Sequence, residues 1–242
     1  MKQYHTITFP LSTICIIALC LLHFSSLVAQ PRRLSLSSLE ETLHNGKVIK
    51  SASEMYFDLT AGRIINMAST PEEFVYISDI EGNADIYYPS RNSRITNKNL
   101  IFSTRNNNLW FFLNGQGYDL GLQGMGFKVE GIRNEDSYTI TTWQAPLRYL
   151  KEVDKIDLVH ENHLPVYLEY RNTKGGVTLK VYYNDFVRIG ESMVPSRVTE
   201  IVFANPKDST IRRSTYTNIK WGAQADTQGF DYTIPTDAKI LK

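Results

Sequence analysis

Four groups of residues in this 242-residue chain have types and spacings that could do chemistry. His160 and His163 could offer two imidazoles to a metal ion if a third ligand joined them, but residues three apart on an extended strand send their side chains to opposite faces. Asp154, Asp157 and Glu161 could serve as general acid and base, yet no substrate-specific motif surrounds them, and strands ordinarily carry acids on a wet face. Ser192 follows Gly190-Glu191, but Met193 and Val194 come next, so the Gly-x-Ser-x-Gly elbow that exposes a hydrolase serine is missing. Gly115, Gly117, Gly121, Gly124 and Gly126 could wrap a phosphate, but their spacing is neither a dinucleotide fingerprint nor a P-loop. None of these amounts to a catalytic constellation. The expectation is a protein that is not an enzyme and needs neither a metal nor a cofactor.

What remains is apolar and aromatic. Met55, Phe57 and Leu59, then Ile65 and Met67, then Phe74 and Tyr76, then Ile86 and Tyr88 fall on successive short segments with a period of two. Phe102, Trp110 and Phe112 follow, then Leu122, Met125 and Phe127, and further on Trp143 and Phe203. As a set they could pave one face of a sheet and line a cavity for acyl chains, which bind by burial at about 0.8 kcal/mol per methylene. The alternative is that they fill an ordinary core. The functional expectation concerns the set, because one sheet with few helices has little with which to cover its own face.

The elements that must position these side chains are mostly strands. Residues 34–44 place Leu36, Leu39 and Leu43 at helical spacing before Asn45-Gly46, which predicts one amphipathic helix. After it the period becomes two, over 54–59, 63–68, 74–79 and 84–88, with turns at Pro71, Glu81-Gly82-Asn83 and Pro89. Segments 100–103 and 109–113 read as a strand pair around Asn106-Asn107-Asn108, and 115–126 as a loop or short helix. Alternation resumes at 127–129, 138–143 and 156–160. It is clearest from His163 to Phe203, where Val166, Leu168 and Tyr170 oppose Glu169 and Arg171, and Val177, Leu179, Val181 and Tyr183 repeat the pattern after Lys174-Gly175-Gly176. A last strand covers 211–221. Short strands joined by turns imply a mainly β, antiparallel meander in a single domain.

Lys2, the apolar run 14–22 and the small residues of Ser25-Ser26-Leu27-Val28-Ala29 predict a signal peptide over 1–29, cut after Ala29, with one domain over 30–242. Cys15 and Cys20 both lie in that segment, and neither follows a small residue at a cut site, so neither a disulfide nor a lipid anchor is expected in the mature chain. Losing Lys2 leaves basic and acidic residues equal at 25. That balance speaks against nucleic acid as a partner. The expectation is an exported monomer without a stable membrane anchor.

Three stretches together resemble the LolA-like family of outer-membrane lipoprotein-sorting and carrier proteins. The first is Phe74-Val75-Tyr76-Ile77-Ser78-Asp79, its turn through Gly82, and Asp85-Ile86-Tyr87-Tyr88-Pro89. The second runs from Leu164-Pro165 through Gly175-Gly176 to Tyr182-Tyr183, with Val194-Pro195-Ser196-Arg197-Val198 beyond. The third is Phe230-Asp231-Tyr232-Thr233-Ile234-Pro235. The resemblance implies an incomplete, strongly curved antiparallel β-barrel whose apolar concave face is covered by the N-terminal helix and by a loop or short helix. It implies a periplasmic carrier that shields the acyl chains of lipoproteins or lipids between an inner-membrane ABC transporter and an outer-membrane acceptor, and it makes Arg63 the candidate lid contact. A non-catalytic envelope interaction protein, or a carrier of another hydrophobic ligand on the same fold, stays open beside it.

Overall fold

The computed structural model describes residues 32–205, 208–225 and 227–241. The expected signal peptide, its cut site and both cysteines lie outside them. One sheet of fourteen strands dominates, with 60% of the described residues in strands and 11% in helices. β1 (Arg33–His44), β2 (Lys47–Asp58), β3 (Arg63–Thr70), β4 (Phe74–Asp79), β5 (Asn83–Tyr88) and β6 (Ser93–Lys98) form a first meander. A second contains β7 (Lys128–Glu135), β8 (Tyr138–Gln144), β9 (Lys155–Glu161), β10 (Leu164–Arg171), β11 (Val177–Ile189), β12 (Ser192–Asn205) and β13 (Asp208–Trp221). The β1–β13 pair joins them, and β14 (Lys239–Ile240) adds at the β6 edge as the one parallel pair. The edge strands β14 and β7 do not pair, so the sheet is curved and open, not a closed barrel.

The expected N-terminal helix is a strand. Leu36, Leu39 and Leu43 do fit a helical period, but as a strand the chain buries Leu34 and Leu36 on one face and exposes Leu39 and Leu43 on the other. The neighbours decide it: Ser35, Ser37, Ser38 and Thr42 compete with helical hydrogen bonds, and Asn45-Gly46 is a hairpin turn. Asn45 at φ 50° and Gly46 at φ 72° join β1 to β2 with His44 opposite Lys47. A bulge on β13 sets two residues, Asn218 and Ile219, against Leu36.

The strand pair expected at 100–103 and 109–113 is also corrected. Leu100–Phe102 and Thr104–Asn106 are 3₁₀ turns, and α1 is Asn108–Leu113. The Asn107 side chain accepts a hydrogen bond from the Leu109 N–H at 2.9 Å, the usual N-cap geometry. Leu109, Trp110, Phe112 and Leu113 are then buried on both flanks of a helix too short to show a period.

Register divides the side chains between two faces. Leu34 lies opposite Phe57, Leu36 opposite Met55, Leu158 opposite Leu168 and Val181 opposite Leu168, all on what we call the inner face, where the larger core sits. Tyr56, Ile65, Val75 and Tyr87 face the other way and form a second core with Phe230 and Ala238 from the C-terminal segment, which includes α2 (Thr227–Phe230). Phe230 meets Tyr56 edge-on, centroids 5.4 Å apart. Two-sided burial is why β2 and β3 carry apolar residues on both faces where an alternating strand would be wet on one. In β10 the alternation seen in the sequence holds for Leu168 and Tyr170, while a bulge at Val166 takes that residue out of their row.

Candidate functional site

Residues 100–127 run across the inner face, with Tyr149, Leu150 and Val153 packed beside them. The middle of this stretch is apolar: Leu109, Trp110, Phe112 and Leu113 of α1 and Leu120 and Leu122 beyond it are each at most 7% exposed. Phe112 packs edge-on against Tyr183 and Phe186, with centroids 5.3 and 6.0 Å away. After α1 the Asp119 carboxylate accepts from the Gly121 and Gln123 N–H groups, which tightens the loop and turns Leu120 and Leu122 inward. Gly121 is required there: φ is 74°, and a Cβ would stand 2.3 Å from the Phe111 ring.

The hem of this cover is polar. Ser103 Oγ donates to the Ile80 carbonyl at 2.8 Å, Thr104 Oγ1 to that of Gly62 at 3.2 Å, and Tyr76 Oη to that of Phe102 at 3.4 Å. Asn108 Nδ2 donates to Glu200 Oε1 at 2.7 Å, and Arg32 to the Leu113 carbonyl at 3.2 Å. His160 Nε2 donates to the Tyr118 carbonyl at 2.8 Å, under the stacked Tyr118 ring. Such bonds fix register and direction but contribute only about 1 kcal/mol each, so apolar burial carries most of the closing free energy. The turn under the hem is itself constrained. Gly82 at φ 80° lets the chain pass so close that a Cβ would lie 2.3 Å from the Asn99 carbonyl oxygen.

The apolar candidates divide by face, apart from Phe203, whose half-buried ring lies under the Lys180 ammonium. Met55, Phe57 and Leu59 meet Trp110, Phe112, Leu122, Met125, Phe127 and Trp143 in the core beneath the cover. Tyr76 and Phe102 border a cavity of about 210 Å³ with Met55 and Ile64. Ile86 lies opposite Tyr76, and Phe74 touches Tyr88, centroids 6.4 Å apart, toward the β6 edge. Ile65 and Met67 are on the other face, beneath the C-terminal segment. Arg63 is there too, donating to the carbonyls of Phe230 at 3.4 Å and Tyr232 at 2.9 Å; its contacts tie down the C-terminal segment, not the cover over 100–127. Sequence reading missed the hem. Asn107 as a cap before an apolar run was a usable signal for α1, but nothing marks Glu200 as the partner of a residue 92 positions earlier.

The polar groups with catalytic potential are engaged structurally. Asp157, 7% exposed, accepts from Thr142 at 2.6 Å and pairs with Arg171 at 3.1 Å, on the face away from the cover. Asp154 accepts from Gln144, Glu161 from Ser137, and Ser192 follows the two-residue Gly190-Glu191 turn between β11 and β12. Among the described residues no three His, Cys, Asp or Glu side chains converge as a metal site. No helix among them is long and apolar enough to cross a membrane.

His160 gives the hem a pH dependence. Burial lowers its pKa from the ordinary 6.5; the bond to the Tyr118 carbonyl opposes this and the nearby His163 adds to it. The folded protein resists a proton that the unfolded chain accepts. Stability present above about pH 6.5 is therefore lost as pH falls toward the lower folded value. Melting curves between about pH 7.5 and 5 are expected to drop further for the native chain than for His160→Gln, which keeps an N–H donor for Tyr118. Equal drops would remove His160 from the account.

No protein-family profile and no curated protein matches this sequence. Solved structures do match its fold. A LolA superfamily protein from Nitrosomonas europaea superposes with a TM-score of 0.55 at 15% identity, over 81% of this chain and 89% of that one. An outer membrane lipoprotein-sorting protein domain from Vibrio parahaemolyticus gives 0.56 at 8% identity, over 83% and 89%. A DUF1329 family protein from Desulfovibrio piger gives 0.55 at 10% identity, over 93% and 98%. The open, curved antiparallel sheet of this chain is thus an architecture it shares with them: its fold is LolA-like.

Proposed function

We propose that this protein is a non-catalytic carrier that takes an acyl chain between the inner face of its sheet and the cover over 100–127. The observation that carries the reading is the composition of that contact. The cover puts six large apolar side chains of α1 and its loop against the sheet, and its side-chain hydrogen bonds to the sheet and its turns come from other residues, Ser103, Thr104 and Asn108. An acyl chain can replace such side chains without stranding a polar group, and roughly ten methylenes would contribute roughly 8 kcal/mol. Uptake then means opening the cover, a shift between closed and open states set by the ligand's preference for the open one. With the export signal expected at 1–29 and the lipoprotein-sorting protein among the similar folds, the cargo is proposed to be acylated lipoproteins or lipids. The route proposed is through the periplasm, from an inner-membrane transporter to an outer-membrane acceptor.

Mass spectrometry of protein exported and purified natively is the test. Co-purifying acyl lipid or lipoprotein is expected. Its absence, together with no binding of acylated peptides, would overturn the reading.

A second reading, an envelope interaction protein with a permanently filled face, is favoured by two observations. The cavity of about 210 Å³ lies below the roughly 300 Å³ at which ligand pockets begin. The β1–β2 hairpin meanwhile exposes Leu39, Leu43, Val48 and Ile49, a surface that could seat a partner. Hydrogen exchange separates the two: amides of 108–127 exchanging well before those of β2 and β11 support the carrier, and equal protection supports the filled face.

A further inference from the structure

At the cavity beneath residues 102–107 one buried polar atom has no hydrogen bond among the described residues. On the inner face β3 presents Ile64, Asn66 and Ala68 in a row, and Asn66 lies directly between Met55 of β2 and Tyr76 of β4. That is the middle of an apolar track. Leucine or valine would serve a packed core there, and a buried amide costs stability unless it is paired.

Five other polar side chains around the cavity are engaged. Ser103, Thr104 and Tyr76 bond across to carbonyls, as described for the hem. Asn106 Nδ2 donates to the Leu100 carbonyl at 2.8 Å, and Asn107 Oδ1 caps α1. The Asn66 side-chain oxygen, by contrast, is buried and has no hydrogen-bond partner among the described residues. The cavity of about 210 Å³ it borders is apolar on the side of Met55, Ile64 and Phe102.

We infer that Asn66 is the specificity determinant of the proposed carrier site. Its Oδ1 accepts a hydrogen bond from an N–H or O–H group attached to the ligand's acyl chain, so the protein selects N-acyl or hydroxyl-bearing lipids over simple esters. The inference rests on the carrier reading, and it adds a chemical class to it. An acceptor buried without a partner discriminates between ligands, because a ligand without a donor leaves it unpaired. The acyl chain lies along Met55 and Phe102, and its polar linkage reaches Asn66 between two strands whose register fixes the side chain from both sides.

N-methyloctanamide and methyl octanoate have nearly the same shape and differ in one N–H, which makes them the probes. Calorimetric titration of the full exported chain is expected to show the amide bound about tenfold tighter, a ratio that Asn66→Leu abolishes by weakening the amide and leaving the ester as tight or tighter. Asn66→Asp, which keeps an acceptor at the same place, is expected to retain the preference. An ester bound as well as the amide by the native chain, or an Asn66→Leu chain that still prefers the amide, overturns the role of Asn66 and leaves the carrier reading standing. Binding of neither compound by the native chain overturns both. Thermal melting supplies a readout free of ligand: Asn66→Leu is expected to raise the Tm by removing an unpaired acceptor, and a lower Tm would overturn the claim that the group is unspent.

Discussion

Phe112→Ala is expected to loosen the cover and, in a carrier, to improve acyl binding while lowering the melting temperature. The Phe112 ring is 2% exposed and anchors α1 edge-on against Tyr183 and Phe186, and removing a buried phenylalanine side chain costs about 3–5 kcal/mol. All of that cost falls on the closed state. If residues 100–127 open as a unit, the loss to the whole fold is capped at the closing free energy of the cover, and the apparent affinity for an acyl probe rises as the open state becomes more populated. If the face is a permanently filled core, Phe112→Ala simply costs the full amount and acyl probes gain nothing. Denaturant unfolding together with titration of the same probe reads both. A full loss of stability without any gain in binding would defeat the carrier reading.

Phe57→Ala is the matching experiment on the sheet, and here the full loss of about 3–5 kcal/mol is expected whichever reading holds. Phe57 is completely buried, lies opposite Leu34 on β1 and Ile64 on β3, and packs beneath the cover in the core shared by both meanders. No opening of residues 100–127 relieves the cavity it leaves, because its strand neighbours are fixed by backbone ladders. The denaturant midpoint should fall accordingly with an unchanged slope. A loss below about 1 kcal/mol would mean that β2 is not part of the cooperative core. The difference between Phe57→Ala and Phe112→Ala therefore measures how independently the cover behaves, which is the quantity a carrier must tune.

Much of the sheet was legible because strands write a period of two directly into the sequence. Leu168 and Tyr170, Leu179, Val181 and Tyr183 share the inner face as their alternation implied, and Gly175 at φ 75° supplies the turn between them. The hairpin at Glu81-Gly82-Asn83 was equally plain, since the Asp79 carboxylate accepts from the Glu81 and Asn83 N–H groups as turn chemistry leads one to expect. Segments 34–44 and 109–113 misled for one shared reason. Each is a short apolar run, and the tertiary setting, not propensity, selected strand for the first and helix for the second.

The aromatic set was legible as a set and not by face. Alternation distinguishes two sides of a strand but does not say that both are covered, so Ile65 and Met67 read like Phe57 although they sit under the C-terminal segment. Arg63 reads as a residue on an early strand; only the fold shows that its guanidinium is committed to the Phe230 and Tyr232 carbonyls.

By itself the sequence determined a meander of mainly antiparallel strands with an apolar surplus and no recognisable catalytic motif, because composition and period are local properties of the chain. The tertiary structure decided what that surplus does. It laid 100–127 across one face and the C-terminal segment across the other, paired Asn108 with Glu200, and left the Asn66 side-chain oxygen, between Met55 and Tyr76, without a hydrogen bond among the described residues. Contacts between residues far apart in sequence, and the polar atoms such contacts leave over, follow from strand order and register, which no local pattern encodes.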